Sequence, residues 1–206
     1  MCELFGYVSL LNTILIDLSR DIWQYISYGY FKLKVNSGET GSSVMPHKVN
    51  PIDFENAEGN LGISNSLLEH FRAKLPISRL QRDLSDSTVL RNIGLAFGHS
   101  YLALTSLLKG LNKLSADKDL MLNELREHPE LLAEAYQSLL RFKEVPKAYE
   151  TLKDKTRGKK IQLSDLHDML DELKISEEDK KKLKELKPEN YLGYAKELTQ
   201  DIKNWK

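Results

Sequence analysis

The first segment of the chain carries apolar residues at helical spacing from Leu4 to Tyr25. Phe5, Ile14 and Ile16 lie off that stripe, so the predicted helix is apolar around most of its circumference. A helix of this kind is usually buried on several sides, either inside a bundle or between subunits. The pattern begins almost at residue 1 without an evident cap, and we therefore expect the natural chain to begin earlier.

The next part of the chain predicts a loop and two more helices. Residues 36–51 are rich in glycine, serine and proline, which indicates a loop. Helical character returns from Ile52 to about Lys74, where Leu75-Pro76 ends it. A polar segment, 78–87, follows. Apolar residues then recur at alternating spacings of four and three positions, which predicts a long packed helix. This seam consists of Phe97, Tyr101, Leu104, Leu108 and Leu111.

Beyond Leu114 the predicted helices become short and highly charged. Ser164 and Ser176 precede acidic residues and are predicted helix N-caps. No segment shows a convincing alternation of period two, so the predicted fold class is all-α. We expect a boundary near 113–115, which separates a helical bundle in residues 1–113 from a small helical domain in residues 114–206.

Composition and charge narrow the possible partners. The 206 residues are 41% hydrophobic and 29% charged, as in ordinary soluble proteins. Because 30 basic residues balance 30 acidic ones, composition gives no case for nucleic acid or an anionic membrane as a partner. A single cysteine, Cys2, excludes an internal disulfide and fits the cytoplasm. No stretch is interpreted as a membrane span or a signal peptide.

The loop before the second helix carries the candidate chemistry. Residues 41–51 read GSSVMPHKVNP, which places two hydroxyls, an imidazole, an ammonium and a carboxamide close together. Surface loops also collect such residues, and composition alone would favour that ordinary interpretation. Binding and catalytic groups are nevertheless concentrated on loops.

This loop matches the pattern G-S-S-x-M-P-x-K-x-N-P at every fixed position and resembles the signature of the fumarase/aspartase superfamily. Members of that superfamily cleave C–N or C–O bonds and release fumarate. His47, together with the segments 53–56 and 82–92, is similar to the adenylosuccinate lyase family of the bacterial type. The resemblance weakens after about Leu114, and the N-terminal domain and first bundle helices of the family are missing.

The resemblance implies a reaction, a fold and an assembly. The reaction is a β-elimination that releases fumarate from adenylosuccinate, giving AMP, and from succinylaminoimidazole carboxamide ribotide. No cofactor and no metal are expected. The implied fold is a long-helix bundle followed by a small helical domain. The implied assembly is a homotetramer whose active sites combine three chains, and this chain by itself is expected to be inactive.

Within the loop, the resemblance assigns a role to each polar residue. Ser42 is the candidate general base, and Ser43 contacts substrate, although these two roles could be exchanged. Lys48 and Asn50 hold the substrate carboxylate on which negative charge develops. Without the motif they would be read as a solvated lysine and a turn asparagine. His47 is expected to touch substrate.

Two residues at the start of the second helix match further family positions. Glu55 is expected to orient the histidine that acts as general acid, which lies outside this chain. It would otherwise be an acid favoured by the helix dipole. Asn56 is expected to contact substrate. The other histidines are assigned no chemistry: His70, His99, His128 and His167.

Arg82, Ser87 and Arg91 form a second cluster, which the resemblance assigns to the nucleotide phosphate. Ser85 or Asp86 is expected to cap a helix that carries Ser87 in its first turn and Arg91 one turn later. Two arginines near a helix start suit a phosphate. Without the loop signature, a surface network of arginines and aspartates would be the better interpretation.

Two alternatives stay open at this stage. The chain could come from another lyase of the superfamily or from the carboxymuconate cycloisomerase branch. The cluster of Arg82, Ser87 and Arg91 argues against both, because a substrate without phosphate has no use for it. The chain could also be a non-catalytic helical module that only oligomerises, which the intact signature disfavours.

Overall fold

A computed structural model describes residues 1–34, 50–80, 84–146, 150, 153, 161–173 and 175–204. The predicted all-α class is confirmed, since these residues are mostly helical with two short strands. The chain divides into two compact units, Met1–Asp117 and Lys118–Lys206. The candidate site residues all belong to the first unit.

Three long helices build the first unit, together with a short helix and two short strands. In chain order they are α1 Cys2–Ser27, β1 Phe31–Leu33, α2 Ile52–Lys74, α3 Ser85–Leu90, α4 Ile93–Lys113 and β2 Leu114–Ala116. The bounds of α2 agree with those expected from the sequence. Asp53 and Glu55 in its first turn, and Arg72 and Lys74 in its last, complement the helix dipole.

Helix α2 packs along both α1 and α4, and two apolar clusters form the core. Phe54, Leu61 and Leu107 centre one cluster, and Phe5 and Phe71 belong to the other. All five side chains are at most 3% exposed. Burial of several large apolar side chains is the main force that holds the three helices together.

The face of α4 that packs inside the chain differs from the predicted seam by one position. Apart from Lys113 at the end of the helix, the buried residues are Ala96, Ser100, Ala103, Leu107 and Gly110, each of which precedes a seam residue. Four of the five have small side chains, which lets α2 approach closely. At Gly110, an added Cβ would lie 2.8 Å from Cζ of Phe54.

The larger apolar residues of α1 and α4 remain exposed within the single chain. On α4, Tyr101 is 71% exposed and Leu108 is 64% exposed. On α1, Tyr7, Leu10 and Ile14 are each more than half exposed. The expectation that α1 is buried on several sides is therefore not met within one chain. An exposed apolar surface of this extent is typical of an interaction face.

Strands β1 and β2 pair antiparallel, with Phe31 opposite Ala116 and Leu33 opposite Leu114. The sequence pattern does not reveal these strands, because three-residue strands are too short to show an alternation. Lys32 on β1 forms an ion pair with Asp117, just after β2. The pairing keeps residues 114–117 with the first unit, so the division falls slightly later than expected.

Helix α1 corrects the interpretation that no stretch could span a membrane. It contains a window of mean hydropathy 1.3 and is long enough to cross one by length and composition. Core helices of water-soluble bundles meet the same criterion. Helix α1 also buries Ser9, Asn12 and Ser19, and the Ser9 hydroxyl donates a hydrogen bond to Glu69 on α2.

A buried polar layer connects the three long helices. The Asn12 amide on α1 donates to the hydroxyls of Ser64 on α2, at 3.1 Å, and of Ser100 on α4, at 3.0 Å. The two hydroxyls lie 2.8 Å apart. Buried polar groups are costly unless they are paired, so one relative placement of the helices satisfies this layer better than shifted ones.

The second unit consists of short helices around its own apolar core. They are α5 Lys118–Glu127, a 3-10 helix Pro129–Leu132, α6 Ala133–Phe142, α7 Leu163–Glu172, α8 Glu177–Lys184, α9 Ala195–Asp201 and a 3-10 helix Ile202–Asn204. Tyr136 is fully buried in the core and donates its hydroxyl to the carbonyl of Leu183. Burial raises the pKa of Tyr136 to about 12.

The predicted N-caps of the second unit have different outcomes. The N-cap role of Ser176 is confirmed, since its side chain accepts a hydrogen bond from the main-chain N–H of Asp179. The prediction that Ser164 is an N-cap is wrong, because Ser164 lies inside α7. Gln162 caps that helix instead, in a reciprocal capping box with Asp165.

Candidate active site

Most of the signature loop and one arginine of the predicted site lie outside the described residues. This applies to Ser42, Ser43, His47, Lys48 and Arg82, whose roles stay predictions. Asn50 is described and is partly buried just before α2. The structure therefore tests the surroundings of the predicted site through Glu55, Asn56, Ser87 and Arg91.

The first turn of α2 is anchored from its buried side. The Nζ atom of Lys113 lies 2.7 Å from Oδ2 of Asp53, and both side chains are nearly buried. Lys109 lies 3.4 Å from the other oxygen of Asp53. Phe54 is 1% exposed and packs against Gly110. These contacts fix the start of α2 and direct the next two side chains, Glu55 and Asn56, outward.

Glu55 has a partner that the sequence did not reveal. The indole Nε1–H of Trp23 on α1 donates a hydrogen bond to Oε1 of Glu55, at 3.0 Å. The sequence analysis assigned Trp23 no individual role. Nothing local indicates this pair, because the two residues are far apart in the sequence and meet only when α1 packs on α2.

Asn56 lies within a second hydrogen-bonded group, between α2 and α4. Its Oδ1 atom accepts hydrogen bonds from the hydroxyl of Ser106, at 2.9 Å, and from Nδ2 of Asn60, at 3.1 Å. The Oδ1 atom of Asn60 lies 2.8 Å from Nδ1 of His99. The sequence analysis assigned no chemistry to His99, and it did not identify Asn60 or Ser106.

The expected capping of α3 is wrong. The helix begins at Ser85 with Leu84 at the N-cap, and no side chain caps it. Ser87 lies in its first turn as expected, and its N–H bonds to the carbonyl of Leu84. Arg91 is the C-cap residue and is exposed. With only six residues, α3 offers a weaker dipole than a longer helix would.

Within one chain, Glu55 and Asn56 lie near one end of α2, whereas α3, which carries Ser87, packs near the other end. Val89 on α3 packs against the cluster that contains Leu68 and Phe71, near the end of α2. Glu55 and Asn56 lie at the start of the same helix. At 1.5 Å per residue, the heights of Asn56 and Leu68 along α2 differ by about 18 Å.

No candidate metal site is present in the described part of the chain. There, no cluster of three or more histidine, cysteine, aspartate or glutamate side chains could hold an ion. The chemistry available at the start of α2 is a carboxylate and a carboxamide, both held in place by neighbouring donors.

Two family models match the chain, and together they cover most of it. The model described as adenylosuccinate lyase C-terminal matches residues 78–192. The model described as lyase matches residues 1–63. The second match includes the signature loop, Glu55 and Asn56, and the first includes Ser87 and Arg91.

Curated relatives give the same result. The adenylosuccinate lyase of Buchnera aphidicola subsp. Schizaphis graminum is 54% identical over 203 residues, covering 98% of this chain and 44% of the relative. The adenylosuccinate lyase of Escherichia coli K12 is 50% identical over the same shares. That of Legionella pneumophila Corby is 54% identical over 188 residues, 91% of this chain and 41% of the relative. The chain thus spans less than half the length of these relatives.

Proposed function

The chain belongs to the adenylosuccinate lyase family, and on this premise we propose that it is the later part of an enzyme that eliminates fumarate from succinylated purine nucleotides. The observation that carries the proposal is the unbroken signature at residues 41–51, followed directly by α2. The first turn of that helix presents Glu55 and Asn56 on an anchored backbone. The substrates are adenylosuccinate and succinylaminoimidazole carboxamide ribotide, and no cofactor takes part.

The elimination needs a base and stabilisation of negative charge. Ser42 removes the proton from the carbon next to a substrate carboxylate, and Ser43 contacts substrate. The electron pair released by that C–H bond becomes the new C=C bond of fumarate as the C–N bond breaks. Lys48 and Asn50 stabilise the charge that builds on the carboxylate, and loss of one such donor costs about 3–4 kcal/mol.

The departing nitrogen must be protonated by a histidine from outside this chain. Glu55 accepts a hydrogen bond from that histidine and so fixes its orientation and tautomer. The hydrogen bond from Trp23 supports this role, because it engages one carboxylate oxygen and holds the other in a defined direction. Asn56, beside Glu55, contacts substrate.

The ribotide phosphate is held by Arg82, Ser87 and Arg91. Because α3 packs near the end of α2, Ser87 and Asn56 lie near different ends of that helix within one chain, which supports an active site built from different chains. The exposed apolar faces of α1 and α4 supply a surface for such an assembly. We therefore favour a homotetramer with active sites shared between chains, in which this chain by itself is inactive.

The setting is cytoplasmic, and neither nucleic acid nor membrane is a partner. The balanced charge and the single cysteine, Cys2, support this.

The proposal is tested by following fumarate release from adenylosuccinate by the complete enzyme and by this chain. We expect release by the complete enzyme only. In the complete enzyme, Ser42→Ala should lower turnover by about 100-fold or more while nucleotide binding persists. Ser66→Ala is the matched control, because Ser66 is exposed and its hydroxyl donates to a carbonyl of its own helix. No release by the complete enzyme would refute the function, and near-normal turnover of Ser42→Ala would remove Ser42 from the role of base.

A further inference from the structure

The orientation of the Asn60 side chain is fixed by a main-chain group. Its Nδ2 atom lies 2.9 Å from the carbonyl oxygen of Asn56, one turn earlier on α2. A main-chain carbonyl oxygen can only accept a hydrogen bond, so the side-chain atom facing it must be the amide nitrogen. The other amide atom of Asn60, its oxygen, therefore faces His99 at 2.8 Å.

This orientation determines the direction of every hydrogen bond in the group. An amide oxygen only accepts, so His99 carries a proton on Nδ1 and donates it to Asn60. The Asn60 Nδ2 atom also lies 3.1 Å from the side chain of Asn56, whose facing atom must then be the oxygen Oδ1. The Ser106 hydroxyl donates to the same oxygen, at 2.9 Å.

The carbonyl end of the Asn56 amide is thereby turned toward the protein, held by two donors. Its NH₂ end must point away from them. In the part of the chain that the structure describes, this NH₂ group makes no hydrogen bond to a protein atom, and Asn56 is exposed beside Glu55. Without these donors, the two flip states of the amide would have comparable energies in water.

We propose that Asn60, Ser106 and His99 are positioning residues that fix the flip of the Asn56 amide, so that it always offers N–H donors to the substrate. This deepens the proposed function and rests on it. The substrate group that it meets is a hydrogen-bond acceptor, such as a carboxylate oxygen. The opposite flip would place carbonyl lone pairs against that acceptor, and the contact would become repulsive.

A purely structural role is the competing explanation, since the same bonds connect α2 to α4. The two explanations differ for Asn60→Asp. A carboxylate has nearly the same shape as the amide but cannot donate, so Asn56 would turn its NH₂ group toward the new carboxylate and its carbonyl toward substrate. Asn60→Ala removes one donor without adding an acceptor that favours the opposite flip, and Ser106 still donates to Asn56, so this variant should be less harmful to catalysis.

The experiment measures kcat, KM and Tm of the complete enzyme for Asn60→Asp and Asn60→Ala, with Ser66→Ala as control. We expect kcat/KM to fall by roughly 100-fold for Asn60→Asp and by about 10-fold for Asn60→Ala. Ser66→Ala should leave kcat/KM unchanged. The proposal would be overturned if kcat/KM of Asn60→Asp were no lower than that of Asn60→Ala, or if the variants changed only Tm.

A second pair of variants keeps the test decisive if Asn60→Asp fails to fold. His99→Asn retains an N–H donor near the position of Nδ1, whereas His99→Leu removes it. We expect His99→Asn to restore most of the kcat/KM that His99→Leu loses, and Ser106→Ala to fall between them. Equal kcat/KM for the two His99 variants would overturn the proposal. Failure of the proposed function is distinguishable, because the unaltered enzyme would then release no fumarate.

Discussion

The indole N–H of Trp23 donates a hydrogen bond to the carboxylate of Glu55, at 3.0 Å, and so links the C-terminal part of α1 to the first turn of α2. A carboxylate that holds a catalytic histidine must itself have a fixed orientation. Trp23 supplies a rigid donor from a different helix, and under the proposed function it would support Glu55 without taking part in the reaction.

Replacing Trp23 should lower kcat more than it changes KM. Trp23→Phe keeps an aromatic ring but removes the donor, at a cost of about 1 kcal/mol, or roughly fivefold in kcat. Steady-state kinetics of fumarate release would measure the effect. Tyr25→Phe, at another half-exposed aromatic residue of α1, is the control and should have normal kcat. An unchanged kcat for Trp23→Phe would show that the hydrogen bond has no role in catalysis.

Arg91 should distinguish ligands by their phosphate group. Arg91→Ala is expected to weaken AMP binding by about 10-fold or more, because a charge-assisted hydrogen bond is lost, while fumarate binding changes little. Calorimetric titration with each ligand would measure both. Arg20→Ala removes an exposed arginine that pairs only loosely with Glu58, at 3.6 Å, and is the control. Equal weakening of AMP and fumarate would exclude the phosphate assignment.

Two glycines of α4 should respond to alanine in opposite directions. At Gly110 the new Cβ would lie 2.8 Å from Phe54 and 3.1 Å from Asp53, so Gly110→Ala should destabilise by about 1–3 kcal/mol. Gly98 has nothing within 4 Å, so Gly98→Ala should stabilise by about 0.5–1 kcal/mol. Thermal unfolding of both variants tests this. A Tm for Gly110→Ala at or above the unaltered value would mean that α2 and α4 are less closely packed than described.

The second unit should lose stability in acid through Asp179. Hydrogen bonds from Ser176 and from Lys143 hold the pKa of Asp179 below its usual value. The pKa of Asp179 is lower in the folded state than in the unfolded state, so its ionised form stabilises the fold. This stabilisation is fully present above the unfolded-state pKa of about 3.9, and it is lost as pH falls through the folded-state pKa. Asp179→Asn should flatten the dependence of Tm on pH below about 4, as followed by circular dichroism. An unaltered slope would exclude Asp179 as the cause.

The sequence by itself determined the family, the all-α class and the extent of α2. The signature at residues 41–51 is contiguous, so its chemistry can be recognised without knowledge of the fold. Helix α2 was bounded correctly because its limits depend on local groups, namely Pro51 before it and Leu75-Pro76 after it.

The tertiary structure alone decided which residues meet. The buried face of α4 is shifted by one position from its largest apolar residues, because small side chains such as Ala103 and Gly110 allow α2 to approach. That approach places Ser106 beside Asn56, and the packing of α1 places Trp23 beside Glu55. Such pairs depend on distances between helices, which follow from the fit of whole surfaces and leave no local pattern in the chain.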